Sequence, residues 1–514
     1  MGRVKLQNME SDQKAKTDSL TQEATAIAGG SAIVMAGGIG ERILRMATTW
    51  FLSGALGATG FGLYAFATTV ANIVGSLAPL GMDAGLIMYG ARYRASGELE
   101  RLKGTLMVCL GTVAVSAPVF AVVTWLFVKN GLVLHERPAE AKAVMSISVS
   151  IALLAILSVL VGALVSRKDM VGQAWAQQIT VPIVTLVGAG IAILVDAGVQ
   201  GVIVAFIAAH GLAILVAFSR FLKGDGQLFK RPEIMARTEP KALLRYALPQ
   251  SFARVLYRAN LWVDILMLTA LSTLADVGIY RVSVALAMLG ALPVMASTTM
   301  FGPVIAELVY REQIQKLNAL LKIVTRWLLV IATPLYFIIL ILPDVVLGIF
   351  DPAYQSGSQA LMILMAGQAI YVLAAPTGAI LTNAGHSTLN LINGLIAVAL
   401  NIGLNAWLIP EHGIHGAAIA SATALSVWSL LRGFQVWYIH RCSPISFRSI
   451  VIVAIAVTTG AIARLLLTDL NIWQRIGWVG CAIALGGLVF WQFGRTEEDN
   501  AVIDKVKNRF KRNK

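Results

Sequence analysis

The sequence predicts an all-α polytopic membrane protein with fourteen transmembrane helices, and three observations support this fold class. Of the 514 residues, 57% are hydrophobic and only 13% are charged, with a mean hydropathy of +0.75. Apolar stretches recur along the chain, each long enough to cross about 30 Å of hydrocarbon, which takes roughly 20 helical residues. An internal duplication relates the first six stretches to the next six. This composition excludes a soluble core inside a solvated shell.

The first half of the chain contains six predicted spans between two hydrophilic segments. Residues 1–24 form a hydrophilic tail with no cleavable signal expected after it, and 220–245 form a basic linker. The region between them, 25–219, is the first predicted lobe. Its spans are 27–53, 60–85, 105–128, 144–165, 172–195 and 199–219.

The second half repeats this plan and then adds to it. The second predicted lobe covers 246–438, with spans at 246–271, 277–304, 321–343, 358–382, 388–409 and 415–437. Two further spans, 449–468 and 474–493, form an added region at 448–493. In the tail at 494–514, apolar residues recur at helical spacing among lysines and arginines. We interpret it as a basic amphipathic helix on the anionic inner leaflet, with a disordered tail as the alternative.

The duplication has a consistent register. Gly62 and Tyr64 match Gly278 and Tyr280 at an offset of 216 residues. A later anchor, Gly198 and Gly201 against Gly413 and Gly416, has an offset of 215. Because each copy contains an even number of spans, both enter the membrane in the same direction. We therefore expect a parallel repeat about a pseudo-two-fold axis along the membrane normal, with the substrate site between the copies.

The distribution of basic residues indicates the orientation. With both termini in the cytoplasm, 31 of the 41 lysines and arginines fall in the tails and inner loops, and four fall in outer loops. Such an excess of positive charge inside is typical of membrane proteins. It accounts for most of the net charge of +14 without nucleic acid as a partner, and no basic soluble domain is present to bind one.

Arginines within the predicted spans are the strongest functional signal, because a charge in the bilayer costs several kcal/mol unless it is paired or hydrated. Arg42 and Arg258 occupy equivalent positions of the two copies, near the middle of their spans. Arg254 and Arg258 are four residues apart, so they stack two positive charges on one helix face, which favours an anion beside them. Asp264 in the same span does not share that face.

The remaining charged groups of the spans have weaker assignments. Glu41 and Arg45 are one helical turn apart and are predicted to pair with each other. Arg281 enters the eighth span near its outer side. For all these arginines the alternative is a structural role, either as salt bridges or by reaching the headgroups.

Several other residues are assigned structural roles. Glu307 lies near the inner boundary of the eighth span, and Arg326 is counted with the inner loops. His210 is expected to pack within the sixth span. The three cysteines are also expected to be packing residues, and they suggest no disulfide, zinc site or other metal site.

A family resemblance extends across nearly the whole chain. The run NLWVDILMLTALSTLADVGIYRVSVAL, with Asn260, Asp264, Gly278 and Tyr280, resembles the seventh and eighth helices of bacterial polysaccharide-biosynthesis transporters. The stretch AILTNAGHSTLNLINGLIAVALNIGLNAWLIPEHGIHGAAIASATALS is similar to their eleventh and twelfth helices. These flippases share a superfamily with lipid II flippases and multidrug and toxin exporters. The resemblance implies two six-helix lobes arranged in a V, plus two extra helices.

The resemblance also implies a function. We expect a transporter of the bacterial inner membrane, with no catalytic residues and no cofactor, that moves an undecaprenyl-diphosphate-linked oligosaccharide to the outer leaflet. Guanidinium groups bind diphosphate oxygens well, so Arg42 and Arg258 are the leading candidates, followed by Arg254, Arg45 and Arg281. Asp264 matches an acid of the family, and either it or Glu41 could couple transport to H⁺ or Na⁺ or pair with an arginine. Membrane lipids and a polysaccharide polymerase or co-polymerase are the expected partners.

Three other functions are considered at this point. A lipid II flippase would recognise the same diphosphate. A multidrug antiporter would carry organic cations and should line its cavity with acids and aromatic residues, whereas arginines predominate here. A membrane-bound polymerase would need a large outer loop with catalytic groups, and the longest predicted outer loops are short.

Overall fold

The computed structural model contains only helices as regular elements in the residues it describes. It describes the backbone of residues 2–131, 134, 136–237, 239–446, 449, 451, 458 and 471–489. Side chains are described from 37 onward within these ranges, except at 257, 295, 296, 298–300, 303 and 387. The predicted thirteenth span lies almost wholly outside the described residues, and the basic tail at 494–514 lies entirely outside them.

The chain divides into two compact units, which do not coincide with the two sequence copies. The first unit comprises Met1–Thr48 with Val74–Phe252, and the second comprises Thr49–Ile73 with Ala253–Lys514. Residues 49–73, which belong to the first copy, thus group with the second. The start of the second copy groups with the first in the same way. The assignment of lobes to 25–219 and 246–438 stays a prediction.

The first unit is built from α1 to α9 in part or whole. Its helices are α1 (Gly2–Leu77), α2 (Met82–Ala95), α3 (Leu99–Lys129), α4 (Pro138–Ser166), α5 (Met170–Gln173), α6 (Val181–Leu194), α7 (Gly198–Lys223), α8 (Gly226–Phe229) and the start of α9 (Pro240–Leu271). A π-helical turn, Ala174–Thr180, joins α5 to α6. Helix α4 packs against α2, α3 and α7, and α6 packs against α7.

The second unit contains the rest of α1 and α9 and seven further helices. These are α10 (Leu274–Ala287), α11 (Leu292–Tyr310), α12 (Ile314–Ile341), α13 (Pro343–Gly348), α14 (Ser358–Asn383), α15 (Ser387–His440) and α16 (Ile472–Val489). The predicted eighth span is broken by a 3₁₀ turn, Met288–Ala291, just before Pro293. Helix α16 lies in the predicted addition and packs against α12 through Phe337, Val479 and Ala482.

Two glycines interrupt long helical stretches. Gly57 divides α1 with φ 65° and ψ 177°, and Gly413 divides α15 with φ 52° and ψ −126°. Gly198, the repeat counterpart of Gly413, has φ 56° and begins α7. Only glycine adopts such angles without a steric penalty. The repeated glycines therefore have one local purpose, which is to turn the chain between the last two helices of each copy.

Nine helices in the described part of the chain are long and apolar enough to cross a membrane. Two of these nine are α1 and α15, each divided by its glycine kink. The protein is therefore a multi-pass helical membrane protein. Of the three cysteines, Cys109 and Cys442 are buried, but Cys481 is exposed, so the expectation that all three are packing residues was wrong for Cys481.

Candidate functional site

A buried carboxylate, Asp264 of α9, lies at the centre of a polar cluster inside the second unit. The residue is 3% exposed, and three side chains donate hydrogen bonds to its carboxylate oxygens. Tyr280 of α10 donates over 3.0 Å and the amide of Asn405 over 2.8 Å. Ser421 of α15 donates the third bond. Its partners are hydroxyl and amide groups rather than guanidinium groups, in agreement with the expectation that Asp264 does not share the arginine face.

The cluster continues along α15 through two asparagines spaced one turn apart. The amide of Asn405 also donates to the side-chain oxygen of Asn401 over 2.8 Å, and the amide of Asn401 lies 3.5 Å from the backbone oxygen of Asn260. The side-chain oxygens of Asn260 and Asn405 are buried and accept no hydrogen bond from the described residues. Because an unsatisfied buried oxygen is costly, these two atoms are available to a bound cation or donor.

These atoms form a set suited to a hard monovalent cation or a proton. A carboxylate, amide oxygens and a hydroxyl are the ligands that hard cations prefer. The hydroxyl of Tyr280 also lies 3.2 Å from the oxygen of Ser421 and 3.5 Å from the backbone oxygen of Ala417. Three helices therefore contribute side chains to one polar cluster.

Arginines of the second unit converge on one aromatic ring. The guanidinium carbons of Arg258 and Arg281 lie 6.0 Å and 5.7 Å from the centre of the Trp262 ring. Arg258 is on α9, one turn before Trp262, and Arg281 is on α10. Arg254 lies one further turn back along α9 and is partly buried. The indole attracts both cations through its ring face and holds two like charges in one region.

The candidate site residues of the first unit lie on α1. Arg45 donates to Glu41 over 2.8 Å, so the predicted pair is confirmed. Arg42 is partly buried beside this pair. Because Arg42 and Arg258 belong to different units, their opposition across a cavity stays a prediction, as does the role of every arginine in substrate binding.

Sequence reasoning did not identify several polar residues of the spans. Asn401, Asn405 and Ser421 were not singled out, although two asparagines four residues apart on one face of an apolar stretch are a usable signal. Trp262, one turn after Arg258, was also missed. The sequence places Arg326 of α12 with the inner loops. In the structure this arginine is only 3% exposed and lies among packed helices of the second unit.

Other sequence expectations concerned structural residues. His210 packs inside the first unit, where its ring nitrogen lies 2.8 Å from the backbone oxygen of Phe206 and the two rings are 4.3 Å apart. Glu307 pairs with Arg311 over 2.9 Å on an exposed surface. Both observations agree with the packing and boundary roles predicted for these residues.

Comparison with known proteins identifies a family and two proteins that are similar to this chain in sequence. Residues 27–309 match the family described as "Polysaccharide biosynthesis protein". The chain is 25% identical over 251 residues to the probable low-salt glycan biosynthesis flippase Agl15 of Haloferax volcanii, covering 48% of this chain and 52% of that protein. It is 31% identical over 114 residues to an uncharacterised membrane protein of Methanocaldococcus jannaschii, covering 22% of each. The matched regions thus span about half or less of these curated relatives.

Solved structures show the fold. The lipid II flippase MurJ in an inward closed conformation superposes with a TM-score of 0.70 at 13% identity, over 90% of this chain and 99% of that one. An inward-facing multidrug resistance MATE transporter of the MOP superfamily gives a TM-score of 0.67 at 15% identity, over 80% and 98%. At such identities the likeness concerns the fold alone. Because the family match covers more than half of the chain, this protein belongs to the polysaccharide biosynthesis protein family and has the fold of the MOP superfamily.

Proposed function

We propose that this protein is a flippase for undecaprenyl-diphosphate-linked oligosaccharide repeat units in the bacterial inner membrane. It would carry the polar head from the cytoplasmic to the periplasmic leaflet by alternating access, for exopolysaccharide, O-antigen or capsule synthesis. Both termini would be cytoplasmic, and a polymerase would receive the product outside. Membership of the polysaccharide biosynthesis family and similarity to a probable glycan biosynthesis flippase support this proposal.

The convergence of Arg258 and Arg281 on Trp262 carries the proposal. Two guanidinium groups from neighbouring helices thus lie beside the same ring. A diphosphate suits such a pair, because its oxygens accept paired hydrogen bonds from the planar guanidinium fork. In the first copy, Arg42 occupies the position equivalent to Arg258 and would bind the same group from the other side.

The Asp264 cluster is the proposed coupling site. Its carboxylate, with the buried oxygens of Asn260 and Asn405, would take up Na⁺ or H⁺ in one conformation and release it in another. Helices α9, α10 and α15 each contribute a side chain, so binding would change how these helices pack. Glu41, bound to Arg45, is better placed as a charge partner than as a coupling group.

A lipid II flippase is the second candidate, and a solved member of that class has the same fold. Its substrate bears the same diphosphate and differs in the sugars. A multidrug antiporter is disfavoured, because an organic cation would be repelled by Arg254, Arg258 and Arg281.

The test is polysaccharide export in a deletion strain complemented with Arg258 variants. We expect Arg258→Ala to abolish export and Arg258→Lys to retain part of it, because the charge survives while the bidentate fork is lost. Arg311→Ala is the matched control, since this arginine is exposed and pairs with Glu307 on its own helix turn. Each variant must be present in the membrane at the parent level. Full export by Arg258→Ala would refute the assignment.

A further inference from the structure

The first turns of two repeat-related helices touch through their backbones inside the second unit. A Cβ atom on Gly62 would overlap the backbone oxygen of Leu274 and would lie 3.0 Å from the amide nitrogen of Gly278. A Cβ atom on Gly278 would overlap the backbone oxygen of Ala58 and would lie 3.1 Å from the amide nitrogen of Gly62. Real Cβ atoms essentially never approach other atoms this closely, and backbone atoms cannot move aside cheaply.

This contact is symmetric in the register of the duplication. Gly62 and Gly278 are 216 residues apart, and so are Ala58 and Leu274. Gly62 faces the carbonyl of Leu274, one turn before Gly278, and Gly278 faces the carbonyl of Ala58, one turn before Gly62. A contact between two equivalent segments, with the same partners exchanged, lies on the axis that relates the copies. The glycines that anchor the repeat in sequence are therefore the glycines that meet in space.

The chemistry of the contact is that of a close but separable helix crossing. Glycine pairs let helix backbones approach and place Cα hydrogens against carbonyl oxygens, which are weak hydrogen bonds. The atoms nearest to the built Cβ positions on both sides of the contact are backbone atoms. Nearby, Trp50 donates to the backbone oxygen of Ile349 over 2.9 Å, and Tyr354 lies 3.4 Å from the backbone oxygen of Ser53. These two hydrogen bonds join segment 49–73 to the second copy.

We infer that Gly62 and Gly278 form one steric gate, closed in this structure, at which the two copies of the repeat meet and separate during transport. The inference rests on the proposed function in that the gate would admit and release the glycan head. Glycine is required at both positions, because the methyl group of an alanine at either one would keep the two helices apart. The gate therefore predicts that Gly62→Ala and Gly278→Ala have equal effects and that these effects do not add in the double variant.

A thiol-labelling experiment tests the gate without any substrate. Thr69 is 2% exposed and lies seven residues beyond Gly62 on nearly the same helix face, about 10 Å farther along. In a chain with its native cysteines replaced by alanine, we introduce Thr69→Cys and measure its reaction with an impermeant maleimide in right-side-out and inverted vesicles. We expect Gly62→Ala and Gly278→Ala each to raise labelling several-fold from one side only, and the double variant to match the singles.

The matched control is Gly403→Ala, in α15, where a Cβ atom would meet nothing within 4 Å. It should leave labelling unchanged. Labelling that does not rise in either glycine variant, or that rises additively, would overturn the gate. If labelling rises as expected while the parent protein moves no glycan lipid, the gate stands and the proposed function fails.

A second variant keeps both glycines and so avoids any folding defect. Ala58→Cys and Leu274→Cys place thiols on the first residues of the two helices, within reach of a short cleavable bismaleimide. We expect cross-linking to stop export and cleavage of the linker to restore it. A cross-link that forms without slowing export would overturn the inference.

Discussion

The two copies of the repeat are alike at the glycine contact and different at the polar cluster. Asp264 of the second copy corresponds to Thr48 of the first, and Ser421 corresponds to Phe206. The second-copy pair is hydrogen-bonded, whereas Thr48 donates only to the backbone of its own helix over 2.8 Å, and Phe206 stacks on a histidine. The two copies are alike where the backbones at Gly62 and Gly278 pack together, and they differ at the Asp264 cluster.

The arginines of the two copies are only partly equivalent. Arg42 and Arg258 are equivalent, yet Arg254 corresponds to Gly38 and Arg281 to Ala65. The second copy therefore carries more of the positive charge that we assign to substrate binding, together with the only carboxylate cluster of this kind in the described residues. We expect substitutions in the second copy to cost more than equivalent ones in the first.

Among the positions that differ between the copies, the largest effect is expected from Asp264→Asn. The amide cannot accept all three hydrogen bonds, and each buried donor left unsatisfied costs about 1–3 kcal/mol. Loss of the charge also removes the proposed ion ligand. Ion-driven transport should fall on the order of 100-fold, which corresponds to about 2.7 kcal/mol. Transport of labelled glycan lipid under a Na⁺ or H⁺ gradient is the measurement, and Thr48→Ser, at the equivalent position, is the control. Equal losses in both variants would contradict the asymmetry of the copies.

A smaller effect is expected from Ser421→Ala. One of three donors to Asp264 is lost, and glycan-lipid affinity should be retained. If the coupling ion is Na⁺, the hydroxyl oxygen is also lost as a ligand, so apparent ion affinity should fall roughly tenfold, equivalent to about 1.4 kcal/mol. If it is H⁺, the carboxylate loses a donor that stabilises its charge, so apparent affinity should rise instead. Ser426→Ala is the matched control on α15, because that hydroxyl donates only to the backbone oxygen of Ala422 over 2.6 Å. Ion dependence of transport rate measures the difference. If the two serine variants behave alike, Ser421 has no part in coupling.

The smallest effect concerns an ion pair that joins the added region to the second copy. Arg475 of α16 donates to both carboxylate oxygens of Asp344, over 2.8 and 2.6 Å. These hydrogen bonds lower the pKa of Asp344. Its contribution to stability is therefore fully present above the unfolded-state pKa of about 3.9 and is lost as the pH falls through the lower folded-state pKa.

Arg475→Gln should therefore lower the apparent melting temperature slightly at pH 7 and hardly at all near pH 2. The loss should not exceed about 1 kcal/mol, since partly exposed pairs are screened by solvent. Thermal unfolding followed by tryptophan fluorescence in detergent at both pH values is the measurement. A loss that persists undiminished near pH 2 would show that Arg475 stabilises the protein by packing instead.

Much of the fold followed from local patterns. Hydropathy predicted the helices, and i to i+4 spacing predicted the pair of Glu41 and Arg45, which the structure confirms. Most of the Asp264 cluster could not be predicted in this way. Asn405 and Ser421 lie 141 and 157 residues from Asp264, and no periodicity along the chain links them. The 216-residue offset of the duplication identified Gly62 and Gly278 as equivalent, but only the structure shows that they lie in contact.

The central claim is that guanidinium groups at repeated positions bind the diphosphate of a lipid-linked glycan. Its most direct test is head-group translocation in proteoliposomes containing purified protein and a fluorescent undecaprenyl-diphosphate-linked oligosaccharide, read by quenching with an impermeant reagent. The parent protein should translocate the lipid, Arg42→Ala should be strongly impaired, and both Arg258→Ala and the double variant should be inactive. A double variant that translocates this lipid at the parent rate would contradict the account.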